Sequence, residues 1–163
     1  MSDEQTIELW RKLFAYNSDG VLFRKLDSGM LKQVGSPCGR DRGYLNVRVG
    51  KDFEYVHRII FGMHYGYLPI QVDHKDRNGL NNAPPNLRPS NNTKNNCNVV
   101  KRIGKSGYRG VSAQRNGTFV AKIRDGNTRI HLGTFPNARN AAIAYNKAAV
   151  KLHGEFAILN RIE

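Results

Sequence analysis

The stretch from Gln71 to Asn98 is so rich in asparagine and aspartate, with Pro84-Pro85 at its centre, that it cannot be mostly regular structure. Asn and Asp side chains compete for the backbone hydrogen bonds that helices and strands need. The stretch reads as a strand, a long loop and a short helix from about Ser90. Whatever fold the chain adopts must therefore hang one long polar loop on elements supplied from elsewhere.

Upstream, the sequence offers such elements. Residues 3–15 place Ile7, Leu9, Trp10, Leu13 and Phe14 near helical spacing, which predicts a short N-terminal helix. Asn17-Ser18-Asp19-Gly20 is a turn signal before a strand at Val21-Leu22-Phe23. Residues 27–43 hold five glycines or prolines and read as a long loop. Tyr44 to Val49 alternates apolar and polar, as a half-buried strand does. Gly50-Lys51-Asp52 turns it into a second strand at Phe53–Val56, and His57–Tyr65 reads as a helix stopped by Gly66.

Downstream, Val99–Ser106 is basic and contains glycine, and reads as a linker between a first domain, residues 1–98, and a second, 107–163. The second domain shows strands at 110–112, 119–123 and 129–132. Asn116-Gly117 and Asp125-Gly126 between them are hairpin signals. A helix then runs from Asn137 to about Leu152, with Ala141, Ala144, Tyr145, Ala148, Ala149 and Leu152 on one face. The expected class is α+β.

The chain of 163 residues carries 26 Lys and Arg against 13 Asp and Glu, a net charge of +13. That excess points to a polyanionic partner. It is uneven: residues 1–103 hold 16 basic and 10 acidic side chains, residues 104–163 hold 10 and 3. The second domain is thus the more basic per residue. No apolar run is long enough to span a bilayer, and the acidic opening MSDEQTIELW is unlike a signal peptide. The expectation is an intracellular chain, neither secreted nor membrane-bound. Cys38 and Cys97 form no CxxC pair, so reduced thiols are expected, with neither a disulfide framework nor a zinc site. No nucleophile elbow supports a Ser/His/Asp hydrolase.

The candidate chemistry lies in Asp73-His74, Asn86 and Asn95. Cutting a phosphodiester requires a base to deprotonate water, and a neutral histidine serves at physiological pH. It also requires charge to be neutralised on the phosphorane and the leaving oxygen. A hard divalent ion on oxygen ligands does that. Asp supplies a charged oxygen and Asn a neutral one. Neighbours on a strand point to opposite faces, so for Asp73 and His74 to serve one site the strand must end or twist there. The competing reading makes both of them turn residues and the asparagines loop caps.

Val72-Asp73-His74-Lys75-Asp76-Arg77-Asn78-Gly79-Leu80-Asn81-Asn82, then Asn86-Leu87-Arg88, then Asn95-Asn96-Cys97-Asn98, resembles an HNH nuclease of the His-Me finger, or ββα-metal, class. Val56-His57-Arg58-Ile59-Ile60-Phe61 resembles the His-Arg helix that precedes this motif in phage and intron-encoded homing endonucleases. The resemblance implies that His74 is the general base and that Asp73 and Asn95 are metal ligands for Mg²⁺ or Mn²⁺. It implies that Asn86 tethers the loop and helps hold His74. His57 is open between packing under the site and touching a phosphate. His64 and His153 read as surface or helix-end residues. One such set in a monomer implies nicking of one strand of double-stranded DNA, in a phage-borne or mobile-element enzyme working in the host cytoplasm, with no small-molecule cofactor.

Tyr108-Arg109-Gly110-Val111, Ala121-Lys122-Ile123-Arg124-Asp125, Leu132-Gly133-Thr134-Phe135, the alanine-rich helix and Leu159-Asn160 resemble the plant ethylene-response-factor (APETALA-two) DNA-binding domain. In that family the sheet enters the major groove. The match implies that Arg109, Gln114, Lys122, Arg124, Arg129 and His131 face DNA, and arginine is the usual bidentate partner of guanine. Ser112, Gln114, Asn116 and His131 depart from the plant pattern, so the plant target sequence does not carry over. The alternative for the whole chain is a non-enzymatic DNA-binding regulator with a decayed HNH domain. An RNA-binding module lacks support, because the stacking pattern of common RNA binders is missing.

Overall fold

The computed structural model describes residues 1–38, 43–91 and 103–162. The chain divides into two compact units, Met1–Asn91 and Asn92–Glu163.

In the first unit, α1 (Asp3–Leu13) begins at Ser2. The Ser2 Oγ accepts from the Gln5 N–H at 3.2 Å, and the Gln5 Oε1 accepts from the Ser2 N–H at 2.9 Å. This reciprocal cap satisfies two orphan amides. Ile7 and Trp10 are the buried positions of α1. They meet α2 (Val56–Tyr65) at Gly62, where an added Cβ would lie 3.0 Å from the Trp10 ring and 2.8 Å from Leu68. A side chain at Gly62 would force the two helices apart.

Two antiparallel three-stranded sheets surround the helices. One has the order β1 (Phe14–Tyr16), β2 (Leu22–Lys25), β3 (Leu31–Val34); the other runs β4 (Ser36–Cys38), β5 (Tyr44–Val49), β6 (Asp52–Tyr55). The expected loop over 27–43 therefore contains two strands. Both are sheet edges, and an edge tolerates the Pro37 that a central strand would not. The expected strand at 21–23 starts one residue later, and Phe14 leaves the helix to begin β1. Two short strands, β7 (Gln71–His74) and β8 (Leu87–Ser90), pair antiparallel with His74 opposite Leu87. Ser90 closes a strand, where the sequence suggested a helix start. Residues 92–98, where that helix was expected, lie outside the described residues, and so does Asn95. The core joins Trp10, Phe14, Leu22, Val47, Ile59, Ile60, Phe61 and Leu87. Each such side chain contributes roughly 1.5–3 kcal/mol on full burial.

In the second unit, β9 (Val111–Ala113), β10 (Phe119–Asp125) and β11 (Thr128–Phe135) form an antiparallel sheet with β10 central. The register steps between Ala121↔Gly133 and Lys122↔His131. This bulge leaves Gly133 at φ 132°, a conformation that favours glycine. α3 (Ala138–His153) is capped by Asn137, whose Oδ1 accepts from the Asn140 N–H at 2.8 Å. Ala141, Ala142 and Ala149 are fully buried, and they pack with Val111, Ala121 and Ile123 of the sheet. Small side chains let the helix axis approach closely. Leu152, expected on that face, is exposed. Of the expected linker, Val99–Arg102 lie outside the described residues, while Ser106 bonds through Oγ to Val111 O at 2.7 Å within the second unit. Among the described residues no helix is long and apolar enough to cross a membrane.

Candidate active site

β7 brings Asp73 and His74 to the end of a strand. The strand stops at His74, where the Arg77 N–H turns back to the His74 carbonyl at 3.0 Å. Arg77 takes a left-handed φ of 66° to make that turn. Burial alternates along β7, with Val72 and His74 inside and Gln71 and Asp73 half-buried.

The His74 side chain is 4 % exposed. Its Nε2 lies 3.0 Å from Asn82 Oδ1. The Asn82 Nδ2 donates to Leu80 O at 3.4 Å, which assigns the amide oxygen to the ring. Against an oxygen acceptor Nε2 is the donor, a contact that orients the ring. Asn82 was not singled out in the sequence as a residue that holds His74, yet its amide lies within hydrogen-bond distance of the ring. Asn86 bonds within the loop. Its Nδ2 donates to Asp76 Oδ1 at 2.9 Å and Asn81 O at 2.7 Å, and its Oδ1 accepts from the Asp76 N–H at 3.1 Å. Asp76 is the hub of this loop. Burial raises its pKa, but hydrogen bonds from Asn78, Asn81 and Asn86 and the neighbouring His74 outweigh that and hold it below the usual value.

Two glycines seat the loop. A Cβ at Gly20 would lie 2.1 Å from the Asn82 carbonyl carbon, and one at Gly79 would lie 2.1 Å from Gly43 O. Both are backbone atoms that cannot step aside. The turn before β2 and the start of β5 thus press on the loop from two directions.

Below His74 sits a ring cluster. His57 is 5.0 Å from His74 edge-on, and Tyr44 is 5.6 Å from His57 and 5.9 Å from His74. Tyr55 stacks on His57 at 5.2 Å. His57 is buried, and among the described residues its Nδ1 has no hydrogen-bond partner. Burial, then the charges of His74 and Arg58, push its pKa down to about 3, so it is neutral at physiological pH. Arg58 ties down the approach to β7, donating to Pro69 O at 3.2 Å and Ile70 O at 3.3 Å. The His57-Arg58 pair thus packs beneath the site and fixes the strand that carries it. His64 pairs with the Tyr16 hydroxyl at 2.9 Å, and His153 is the last residue of α3.

Asp73 stands opposite Arg88 in the β7–β8 register. The Arg88 Nε and Nη2 both donate to Asp73 Oδ2, at 2.9 and 2.8 Å, with both side chains largely buried. This ion pair fixes the carboxylate's orientation. Among the described residues no three His, Cys, Asp or Glu side chains gather. A cation at Asp73 would meet one carboxylate already paired with Arg88, and carboxylate oxygen suits a hard divalent ion.

In the second unit, the face of the sheet away from α3 exposes Lys122, Arg124, Arg129 and His131. The register sets Lys122 opposite His131 and Arg124 opposite Arg129, and opposed residues share a face. Four of the six expected DNA-facing residues therefore converge. Gln114 is exposed at the turn after β9. Arg109 lies in the turn before β9, its Nε on the Tyr145 hydroxyl at 3.0 Å and its N–H on Asn160 Oδ1 at 2.6 Å. It holds the helix and C-terminal segment together.

Comparison with known proteins bears on both units. Residues 54–97 match the family profile described as HNH endonuclease. The chain is 35 % identical over 136 residues to an uncharacterised HNH endonuclease of Acanthamoeba polyphaga mimivirus, a match covering 82 % of this chain and 66 % of that protein. It is 49 % identical over 55 residues to dehydration-responsive element-binding protein 2C of Arabidopsis thaliana, covering 32 % of this chain and 16 % of that one. It is 46 % identical over 56 residues to ethylene-responsive transcription factor 1 of Solanum lycopersicum, covering 32 % and 23 %. The chain thus spans 66 % of the viral relative's length and under a quarter of the length of these plant proteins.

Proposed function

We propose that this chain, whose residues 54–97 belong to the HNH endonuclease family, is a divalent-cation-dependent DNA endonuclease in which the second unit holds the DNA. The observation that carries the reading is the His74–Asn82 contact. It holds a buried imidazole at a strand end, inside the matched segment.

In this reading β7, β8 and the segment after Ser90 form the ββα-metal unit. His74 Nδ1 accepts a proton from the attacking water, while the Nε2–H bond to Asn82 keeps the ring in place. His57, being neutral, sets no charge against the imidazolium that results. Asp73 and Asn95 would hold the cation, Mg²⁺ or Mn²⁺, with Arg88 orienting Asp73. The bound cation supplies charge neutralisation at the phosphorane and the leaving oxygen. Asn86 acts through the loop, pinning Asp76 and Asn81 so that Asn82 meets the ring. Arg124, Arg129, Lys122 and His131 lie against double-stranded DNA, with Gln114 and Arg109 at the margins of the contact.

One such site per chain means that a monomer nicks one strand per encounter. A cutting unit joined to a DNA-binding unit suits a phage-borne or mobile-element enzyme of the homing type, acting inside the host cell. Incubating supercoiled plasmid with the chain and Mg²⁺ tests this. Nicked circles should accumulate first and should vanish with a chelator. Direct conversion to linear product would overturn nicking, and intact plasmid with Mg²⁺ and with Mn²⁺ alike would overturn the enzyme.

A further inference from the structure

The outer face of β5–β6 is left unused by this reading. Leu45, Val47 and Val49 turn toward the core, so alternation puts Tyr44, Asn46 and Arg48 on the opposite face. The register pairs Asn46 with Tyr55 and Arg48 with Phe53, which adds both aromatics to that face. Tyr44 is 45 % exposed, Tyr55 46 % and Phe53 64 %. Three large rings are thus partly exposed on one small face, with Tyr44 and Tyr55 also touching His57. The row begins at the active site, since the Tyr44 ring is 5.9 Å from His74. It ends beside exposed Arg48 and Lys51.

We propose that this row stacks unpaired bases of the strand being cut, so that the protein selects DNA that is locally unpaired at the cleavage site. The proposal rests on the nuclease reading of His74 and specifies the substrate of that same site. Exposure and the cations beside the rings carry it. Tyr44 and Tyr55 meet edge-on, with centroids 6.0 Å apart and planes at 68°, and Tyr55 lays one face on His57, while Phe53 is the most exposed of the three. Bases in a duplex strand cover one another's faces, so an exposed ring can stack only on a base that is unpaired and splayed out. Aromatic rings flanked by cations are the usual platform for single strands. With Arg48, Lys51 and Asn46 around the rings and Asp52, among the described residues, the one exposed carboxylate beside them, a polyanion fits this face better than an apolar protein surface does.

The test uses the full chain with chelator present and duplexes carrying 2-aminopurine either paired or in a one-base bulge. Binding should quench the bulged probe and leave the paired one unchanged. Phe53→Ala should bind the bulged duplex about tenfold more weakly, Phe53→Trp should restore binding, and affinity for perfect duplex should not move. With Mg²⁺, the bulged duplex should be cut faster. Equal quenching of both probes, or full binding by Phe53→Leu, would overturn the platform. So would a wild-type dimer in sedimentation that Phe53→Ala dissociates, since the face would then join two copies. Quenching without cleavage would support the platform and overturn the nuclease, whereas equal cleavage of both duplexes without quenching would do the reverse.

Discussion

Sheets β4–β5–β6 and β9–β10–β11 share one architecture: three antiparallel strands, a covered face and a bare one. Their bare faces differ in chemistry. The first carries Tyr44, Tyr55 and Phe53; the second carries Lys122, Arg124, Arg129 and His131. Cations on a sheet act through counterion release from phosphates and fade as salt rises. Rings act through stacking, which salt touches far less. On the proposed reading the same scaffold offers two ways of holding DNA, and the difference lies in the outward residues of two strand pairs.

Asn82→Ala probes the proposed site without altering either bare face. Loss of the contact that orients the His74 ring should lower kcat about ten- to a hundredfold with KM little changed. An unchanged kcat would remove Asn82 from the mechanism.

The cationic face is sharpened by Arg124→Gln combined with Arg129→Gln. DNA affinity should weaken for all sequences, and the slope of log affinity against log salt should shrink by about two. Phe53→Ala should leave that slope intact. If both variants moved the slope alike, the comparison between the faces would fail.

Stability against pH separates the units further. His57 titrates near pH 3 when folded, against the ordinary 6.5. Between those values the unfolded chain binds more protons. Its contribution is therefore complete above about pH 6.5 and is lost as pH falls toward 3. Thermal unfolding followed from pH 7 to 4 should show a falling melting temperature for the first unit, and His57→Gln should flatten the fall. The smallest effect expected is Tyr145→Phe. Removing the acceptor of Arg109 Nε should cost the second unit about 1 kcal/mol while leaving DNA affinity nearly unchanged, as read by urea unfolding and titration.

Legibility in the sequence followed regularity. β5 stands where its alternation put it, and α3 starts at the asparagine that caps it. β3 and β4 were hidden because edge strands carry exposed residues and tolerate Gly35 and Pro37, the same residues that mark loops. In the site, Asp73, His74 and Asn86 stood out by residue type and spacing. Asn82 was hidden by its neighbours, because which of several loop asparagines meets the ring depends on how Gly20 and Gly79 seat the loop. That seating is a contact between distant segments. The Asp73–Arg88 pair also depends on strand register, which spacing alone does not fix. The Phe53 row needed the pairing of β5 with β6 before three scattered aromatics became one face.

If His74 is the base of a cutting site and the second unit holds the DNA, single-turnover cleavage and DNA affinity, measured together for the full chain and for His74→Ala, decide between chemistry and binding. Cleavage should fall by at least about a hundredfold with affinity unchanged. Equal cleavage by the two proteins would remove His74 as the base.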